Sequence, residues 1–318
     1  MNNPLRLWSD QEILAARQGK NPVDPERPYA YLVEAERAAT GDVVDIATIF
    51  LTNRECPFRC LMCDLWKNTT DESVVPGAIP RQINFALARL PPARYLKLYN
   101  SGNFFDAKAI PRSDYAEIAQ RGRRFERVIV ENHPKLCQED CRRFGEQLAG
   151  TEFEIALGLE TVHPEVLHAL NKQMTLDDFA RAVERLLKWG IAVRAFVLLK
   201  TPFLSEDEGV EWALRSLKYA FALGVECCSV IPMRAGNGAI DRLQQAGLFA
   251  PPTLSSMEHV LEAGIALGRG RVFMDLWDLE RFSRCTHCRD LRRDRLHQMN
   301  LLQVILPPID CACEDRAS

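Results

Sequence analysis

The chain has no long apolar run. None of its segments approaches the ~18 uninterrupted apolar residues that a membrane-spanning helix needs, so no membrane partner is expected. Its opening residues, Met1-Asn2-Asn3-Pro4-Leu5-Arg6, lack the apolar stretch of a signal peptide, and a cytoplasmic location is expected from that. An excess of charge of one sign is also missing. The 40 Lys and Arg residues against 43 Asp and Glu leave a formal net charge of −3. A surface that is basic all over is therefore excluded, and any nucleic-acid contact must be a local patch. No internal repeat or low-complexity segment is visible, which excludes solenoids and compositionally biased tails.

Cysteine, by contrast, is plentiful, with 11 residues. Without an export signal these read as metal ligands and reduced thiols, not as a disulfide framework. Cys56, Cys60 and Cys63 stand out in Arg54-Glu55-Cys56-Pro57-Phe58-Arg59-Cys60-Leu61-Met62-Cys63. Three thiolates at CxxxCxxC spacing suit three irons of a cubane cluster and leave the fourth iron without a protein ligand. Ferredoxin clusters that only pass electrons use four cysteines. The bland alternative is a zinc clasp or three unrelated core thiols, but zinc motifs rarely have this spacing.

At 318 residues the chain is long enough for two ordinary domains or one α/β barrel. Residues 1–40, interrupted by Pro22, Pro25 and Pro28, read as an N-terminal helical extension. After Gly41 the run Val43 to Leu51 is β-branched and apolar, which predicts a buried strand ending just before the three cysteines. Further strands are predicted at Tyr95–Tyr99, Val128–Glu131, Phe153–Gly158, Ile191–Leu199 and Glu226–Ile231. Thr175-Leu176-Asp177-Asp178 and Ser205-Glu206-Asp207-Glu208 resemble capping boxes, each followed by an apolar stripe and closed by Gly190 or Gly224. Alternating strands and helices of this length predict a parallel sheet with right-handed crossovers. Six strands suit a partial (β/α)6 barrel over residues 41–280, although periodicity alone leaves a doubly wound open sheet possible. Residues 281–318 form a small Cys- and Arg-rich C-terminal segment.

Over roughly residues 45 to 260 an ordered series of motifs resembles the radical S-adenosylmethionine (SAM) superfamily, in its Elongator-like branch. The series begins with Cys56, Cys60 and Cys63, with Met62 where an aromatic residue is usual. Ser101-Gly102-Asn103 follows, where the family carries a Gly-Gly-Glu-like turn that bonds the SAM amino group. Val130-Glu131-Asn132-His133-Pro134 is similar to a Glu-x-Arg-Pro signature, with His133 in place of arginine. Gly158-Leu159-Glu160-Thr161 and Leu170-Asn171-Lys172 match the Gly-Leu-Glu motif and Asn-Lys turn. Tyr99-Asn100-Ser101-Gly102, Leu198 to Glu206 and Pro232 to Gly238 resemble more narrowly the radical SAM subunits of archaeosine synthases. That family, with a partner protein, cleaves a carbon–nitrogen bond of a lysine-modified deazaguanine in tRNA. The resemblance implies a 4Fe–4S cluster on the three cysteines, SAM as cofactor and a reducing electron donor. Ser101, Gly102, Asn103, Glu131 and Glu160 are the cofactor contacts it implies. Arg194 and Lys200, charged residues on or near a barrel strand, are either further contacts or halves of internal salt bridges.

Cys285-Thr286-His287-Cys288 and Cys311-Ala312-Cys313 form a second constellation. Four thiolates in two close pairs suit tetrahedral zinc, with a second iron–sulfur cluster or plain reduced thiols as rivals. Arg281, Arg284, Arg289, Arg292, Arg293 and Arg295 surround it, either a phosphate-binding patch or a solvated helix face paired with aspartates. Cys137 and Cys141, and the adjacent strand residues Cys227 and Cys228, read as packing residues. The expected activity is reductive cleavage of SAM to start radical chemistry, on a modified tRNA nucleoside or else on a small molecule or peptide. A zinc-stapled RNA-binding or scaffold protein without turnover is the rival of another class.

Overall fold

The computed structural model describes residues 5–283 and 285–313. Its frame is one eight-stranded sheet in which neighbours in space are neighbours in sequence, from β1 through β8. β1 (Ala30–Arg37) lies antiparallel to β2 (Val43–Phe50). From β2 onward every pairing is parallel: β3 (Tyr95–Tyr99), β4 (Arg127–Asn132), β5 (Glu152–Glu160), β6 (Ala192–Leu199), β7 (Cys227–Pro232) and β8 (Arg271–Met274). The helices are α1 (Asp10–Ala16), α2 (Ala78–Leu87), α3 (Tyr115–Gly122), α4 (Glu139–Gln147), α5 (Pro164–Ala169), α6 (Leu176–Lys188), α7 (Glu206–Ala222), α8 (Ala239–Gln245), α9 (Leu254–Ala266) and α10 (Arg289–Leu302). The six strands expected from the sequence are β2 to β7, and the sheet curls into a half-barrel with β1 and β8 added at its edges. The capping boxes predicted at Thr175 and Ser205 start α6 and α7.

The N-terminal extension differs from expectation. α1 is helical, capped by Ser9 and Glu12, but residues 30–37 are a strand. Ala-Tyr-Leu-Val-Glu-Ala-Glu-Arg contains good helix formers, and pairing with β2 along its whole length overrides that weak preference.

Strand side chains alternate between two faces. The face toward the helices is apolar: Ile49, Leu98, Val130, Leu157, Val197 and Val230 join one continuous core. The inward face carries charge near the N-terminal ends of the strands. Arg194 binds Glu36 through Nη2 at 2.6 Å and Glu154 through Nε at 2.6 Å. Lys97 reaches Glu36 at 2.6 Å, and Arg127 reaches Glu154 at 2.6 Å and Glu226 at 2.8 Å. These side chains close the bottom of the barrel as a paired ionic floor. Burial pushes the Glu36 and Glu154 carboxyls up, but Arg194 and Lys97 hold Glu36 far below its ordinary value, and Arg194 and Arg127 hold Glu154 below its own.

The free edge of β8 is covered in an unusual way. Asn300 of α10 accepts from Met274 N and donates to Met274 O, both at 2.9 Å. Gln303 does the same for Val272, at 2.8 and 2.9 Å. Two side-chain amides thus stand in for a ninth strand and blunt an edge that would otherwise pair with another chain. The opposite edge strand is met at the floor, where Arg271 Nη1 donates to Arg37 O at 2.8 Å.

Replacing Asn300 by Leu leaves both Met274 backbone groups without partners and is expected to cost about 1–3 kcal/mol of stability. A urea unfolding midpoint equal to that of the wild type would show that solvent satisfies the edge instead. Arg194→Met takes one of two cations from each of two buried carboxylates and is expected to cost about 3–5 kcal/mol. The native carboxyl values lie below the unfolded value of about 4.3, so this stabilisation is complete above that pH and is lost as pH falls through the depressed values. Unfolding midpoints measured from pH 7 down to pH 3 should therefore fall more steeply for the wild type than for the Arg194→Met chain.

Candidate active site

The loop after β2 carries Cys56, Cys60 and Cys63 at the C-terminal ends of the strands, the end opposite the ionic floor. Cys60 is buried and the other two are partly buried. Burial raises all three thiols, Cys60 to about 11, so metal must displace protons to bind here. The Lys172 charge acts in the other direction on Cys56 and Cys60, favouring their thiolate forms.

Each sequence motif grips this loop. After β3, Asn103 Nδ2 donates to Cys56 Sγ at 3.1 Å, and a Cβ on Gly102 would stand 3.4 Å from the Cys56 Cβ. Glu131 at the end of β4 holds that turn by accepting from Asn100 N at 2.6 Å and Gly102 N at 3.3 Å. Burial pushes its carboxyl up to about 7, against the pull of those backbone donors. His133 stacks on Phe58 of the cluster loop, with ring centroids 3.9 Å apart. Its Nδ1 accepts from Lys135 N, which leaves Nε2 as donor to Lys172 O at 3.0 Å. Burial, and then the Lys172 charge, lower His133 to about 3, so the ring is neutral at pH 7.

The Gly-Leu-Glu motif has a steric explanation. Glu160 has φ 65°, after an irregularity in the β5–β6 register, and its carboxylate folds back to pair with Lys172 Nζ at 2.5 Å. A Cβ on Gly158 would overlap both partners. The Asn-Lys turn completes the hold: Leu61 N donates to Leu170 O at 2.8 Å, and Asn171 Nδ2 donates to Arg59 O at 2.8 Å. From beyond β7, Asn237 Nδ2 donates to Leu61 O at 2.7 Å and Cys63 O at 3.2 Å.

The N-terminal segment is a wall of this site. Glu55, next to Cys56, is bound by Arg17 at 2.6 Å, Lys20 at 2.9 Å and Arg59 at 3.0 Å. Tyr29 OH lies 2.8 Å from Ser101 Oγ, and Asp10 accepts from Asn171 at 2.7 Å. Trp8, Ile13 and Ala16 share a small core with Leu61, Leu170 and Ile240.

Asn100 carries the sign of a missing partner: both polar atoms of its buried side-chain amide lack a hydrogen bond. It sits beside Gly102 and Cys56. Three thiols on a fixed loop, an unpartnered amide and two carboxylates fit a thiolate-held cluster with a polar, cationic cofactor beside it.

No family model matches the chain. Its curated relatives include archaeosine synthase subunit beta of Methanosarcina acetivorans, 27% identical over 64% of this chain and 60% of that one. The same-named subunit of Thermococcus kodakarensis is 29% identical over 64% and 65%. The chain thus spans a little under two thirds of the length of these relatives. SuiB of Streptococcus suis, solved bound to S-adenosylmethionine, shares the fold with a TM-score of 0.50 at 12% identity, over 72% of this chain and 51% of that one. The chain is thus similar in sequence to archaeosine synthase beta subunits and has the fold of a protein that binds S-adenosylmethionine.

Not every residue expected at the cofactor site lies near the three-cysteine loop. Arg194 lies in the ionic floor at the far end of the barrel, because its inward position on β6 faces Glu36 and Glu154. Lys200 is at the right end of β6, but its Nζ is held by Ala250 O at 2.8 Å and Glu206 at 3.4 Å, against the start of α7. The arginine-rich stretch divides. Arg292 pairs with Glu258 at 2.7 Å, and Arg295 with Glu262 at 2.5 Å, both buried against α9. Arg281 and Arg293 remain exposed, and Arg284 lies outside the described residues. Cys137 and Cys141 are packed in the core, and Cys227 and Cys228 point to opposite faces of β7. Sequence reasoning missed Tyr29, Asn100, Lys172 and Asn237 as site residues. Asn100, Lys172 and Asn237 lie inside motif stretches that the sequence offered, whereas Tyr29 left no local signal.

Gly158→Ala forces the Glu160–Lys172 pair apart. The expected cost is about 3 kcal/mol or more, combining overpacking with a broken buried ion pair. Gly19→Ala, with open space around it, should stay within about 0.5 kcal/mol of the wild type. Equal urea midpoints for the two variants would overturn this account of the motif.

Proposed function

We propose that the chain is the radical-generating subunit of a nucleoside-modifying enzyme. In this reading Cys56, Cys60 and Cys63 hold a 4Fe–4S cluster, and Ser101, Gly102, Asn103, Glu131 and Glu160 contact SAM. The observation that carries it is the convergence of four separate motif segments on one three-cysteine loop beside the unpartnered Asn100 amide. The cluster and SAM together supply reductive carbon–sulfur cleavage and a 5′-deoxyadenosyl radical, chemistry the protein itself does not provide.

The residues do the rest. Asn103 gives a hydrogen bond to the Cys56 sulfur and so favours its thiolate. Glu131 fixes the turn that presents Ser101, Gly102 and the Asn100 amide to the cofactor, and a cationic amino group beside it would bring its raised carboxyl back to the ionised form. Glu160 keeps Lys172 paired near the cysteines. α1 and Tyr29 cover the site and exclude water from that side. A modified tRNA nucleoside as substrate is supported by the relationship to archaeosine synthase subunits, and an assembling partner protein by their designation as subunit beta. The electron comes from an external reducing donor.

Anaerobic reconstitution with iron, sulfide, SAM and dithionite is expected to give about four irons per chain in this cluster and to form 5′-deoxyadenosine. Cys60→Ala should abolish both the cluster and SAM cleavage. Glu131→Gln, which keeps the turn but removes the charge, should weaken SAM binding about tenfold or more while the cluster spectrum persists. A Cys60→Ala chain with a full cluster sinks the assignment, and binding of SAM unchanged in Glu131→Gln removes that residue from the cofactor site. If low-salt titration shows no tRNA binding, a small molecule or peptide takes the nucleoside's place as substrate.

A further inference from the structure

Outside the three-cysteine loop, four other cysteines have come together without any help from a sheet or helix register. The Sγ atoms of Cys285, Cys288, Cys311 and Cys313 all lie within 4.8 Å of one another. Cys285 Sγ is 3.9 Å from Cys311 Sγ, and Cys288 Sγ is 3.5 Å from Cys313 Sγ. Neither distance is a disulfide, which requires about 2.05 Å. A single ion with tetrahedral metal–sulfur bonds of about 2.3 Å sets its sulfurs about 3.8 Å apart, and the observed spacings bracket that value. A cubane cluster would spread the four sulfurs much more widely, because each would sit on a different iron. The geometry thus separates two readings that the spacing in the sequence leaves open.

We infer that these four cysteines hold one structural zinc ion, a site independent of the radical chemistry and of whether that proposal stands. Binding takes the sulfurs as thiolates, each proton passing to solvent, and leaves the site with two net negative charges. Arg292, in the first turn of α10, sets its guanidinium charge near Cys288 and so answers that charge. No fifth position is needed, so the ion is a closed clasp and not a catalytic centre.

Its position says what it clasps. Cys288 is the residue on which α10 starts. From the far end of α10 the chain turns at Gln303, φ 54°, and runs back along the helix, where Arg295 holds Leu306 O at 2.5 Å and Pro307 O at 2.8 Å. Cys311 and Cys313 bring this return strand to the helix start. The zinc therefore closes a loop around α10, and α10 is the element whose Asn300 and Gln303 complete the edge of β8.

The test uses the full chain, isolated anaerobically. Metal analysis is expected to give about one zinc per chain, separate from any iron. A Cys311→Ser, Cys313→Ser double variant should lose that zinc, keep the iron content and spectrum of the other cluster, and become at least tenfold more sensitive to limited proteolysis beyond residue 302. Because serine variants can misfold, the wild-type chain is also to be stripped by chelator and refilled with cobalt. Strong visible bands of tetrahedral cobalt–thiolate coordination are expected, and added zinc should bleach them. Zinc-free protein with extra iron and sulfide would make the site a second cluster. Extra iron without sulfide would make it a mononuclear iron centre. Four thiols titrating freely with no metal bound would leave no site at all. Any of these three results overturns the inference.

Discussion

A charged side chain on the inner face of a barrel has no water to turn to, and this constraint organises the molecule. Glu36, Lys97, Arg127, Glu154, Arg194 and Glu226 must satisfy one another, which they do only if β1, β3, β4, β5, β6 and β7 are curled around a common axis. The network favours the closed curvature and fills the N-terminal end of the lumen with paired charge. Space and reactivity are left to the other end. There the strands finish in loops that are individually irregular but bound to each other through the cysteine loop. The same division, stability below and chemistry above, is general in parallel barrels, and here the lower layer is ionic where branched apolar residues are more usual.

The segments around the three-cysteine loop are tied mainly by backbone groups. Carbonyls of Arg59, Leu61 and Cys63 are taken by side-chain amides of Asn171 and Asn237, and the backbone N–H groups of Asn100 and Gly102 by Glu131. This explains how His133 can stand in for the arginine of the Glu-x-Arg-Pro signature that the sequence resembles. Stacking on Phe58 and one bond to Lys172 O make the same join between loops with a neutral ring, and no additional charge enters the site.

What the sequence revealed depended on the range of the interaction. The three cysteines, the capping boxes and the Gly-Leu-Glu and Asn-Lys motifs are local patterns, and each could be read from a few residues. Six of the eight strands were legible because they combine β-branched composition with turn signals. β1 was hidden by helix-forming residues, since only its pairing with β2 makes it a strand. Arg194 carried no mark of its partner in the sequence, for Glu36 lies 158 positions away. Tyr29 was illegible for the same reason, and Asn237 showed only as part of the Pro232 to Gly238 likeness, not through its bond to Leu61. The four C-terminal cysteines could be grouped from their spacing, but the spacing does not give the sulfur separation on which the choice of metal turns.

The site is also assembled across an uncommonly long stretch of chain. Asn237, which fastens the carbonyls of Leu61 and Cys63, is made 176 positions after Leu61. Its neighbour Gly238 packs so closely on the carbonyl of Ala16 that no side chain could stand there. During synthesis, then, residues 1–63 leave the ribosome with three bare thiols and no enclosure, and the parts that close around them arrive last. In the interval those thiols are open to oxidation, until the late-arriving segments close over them.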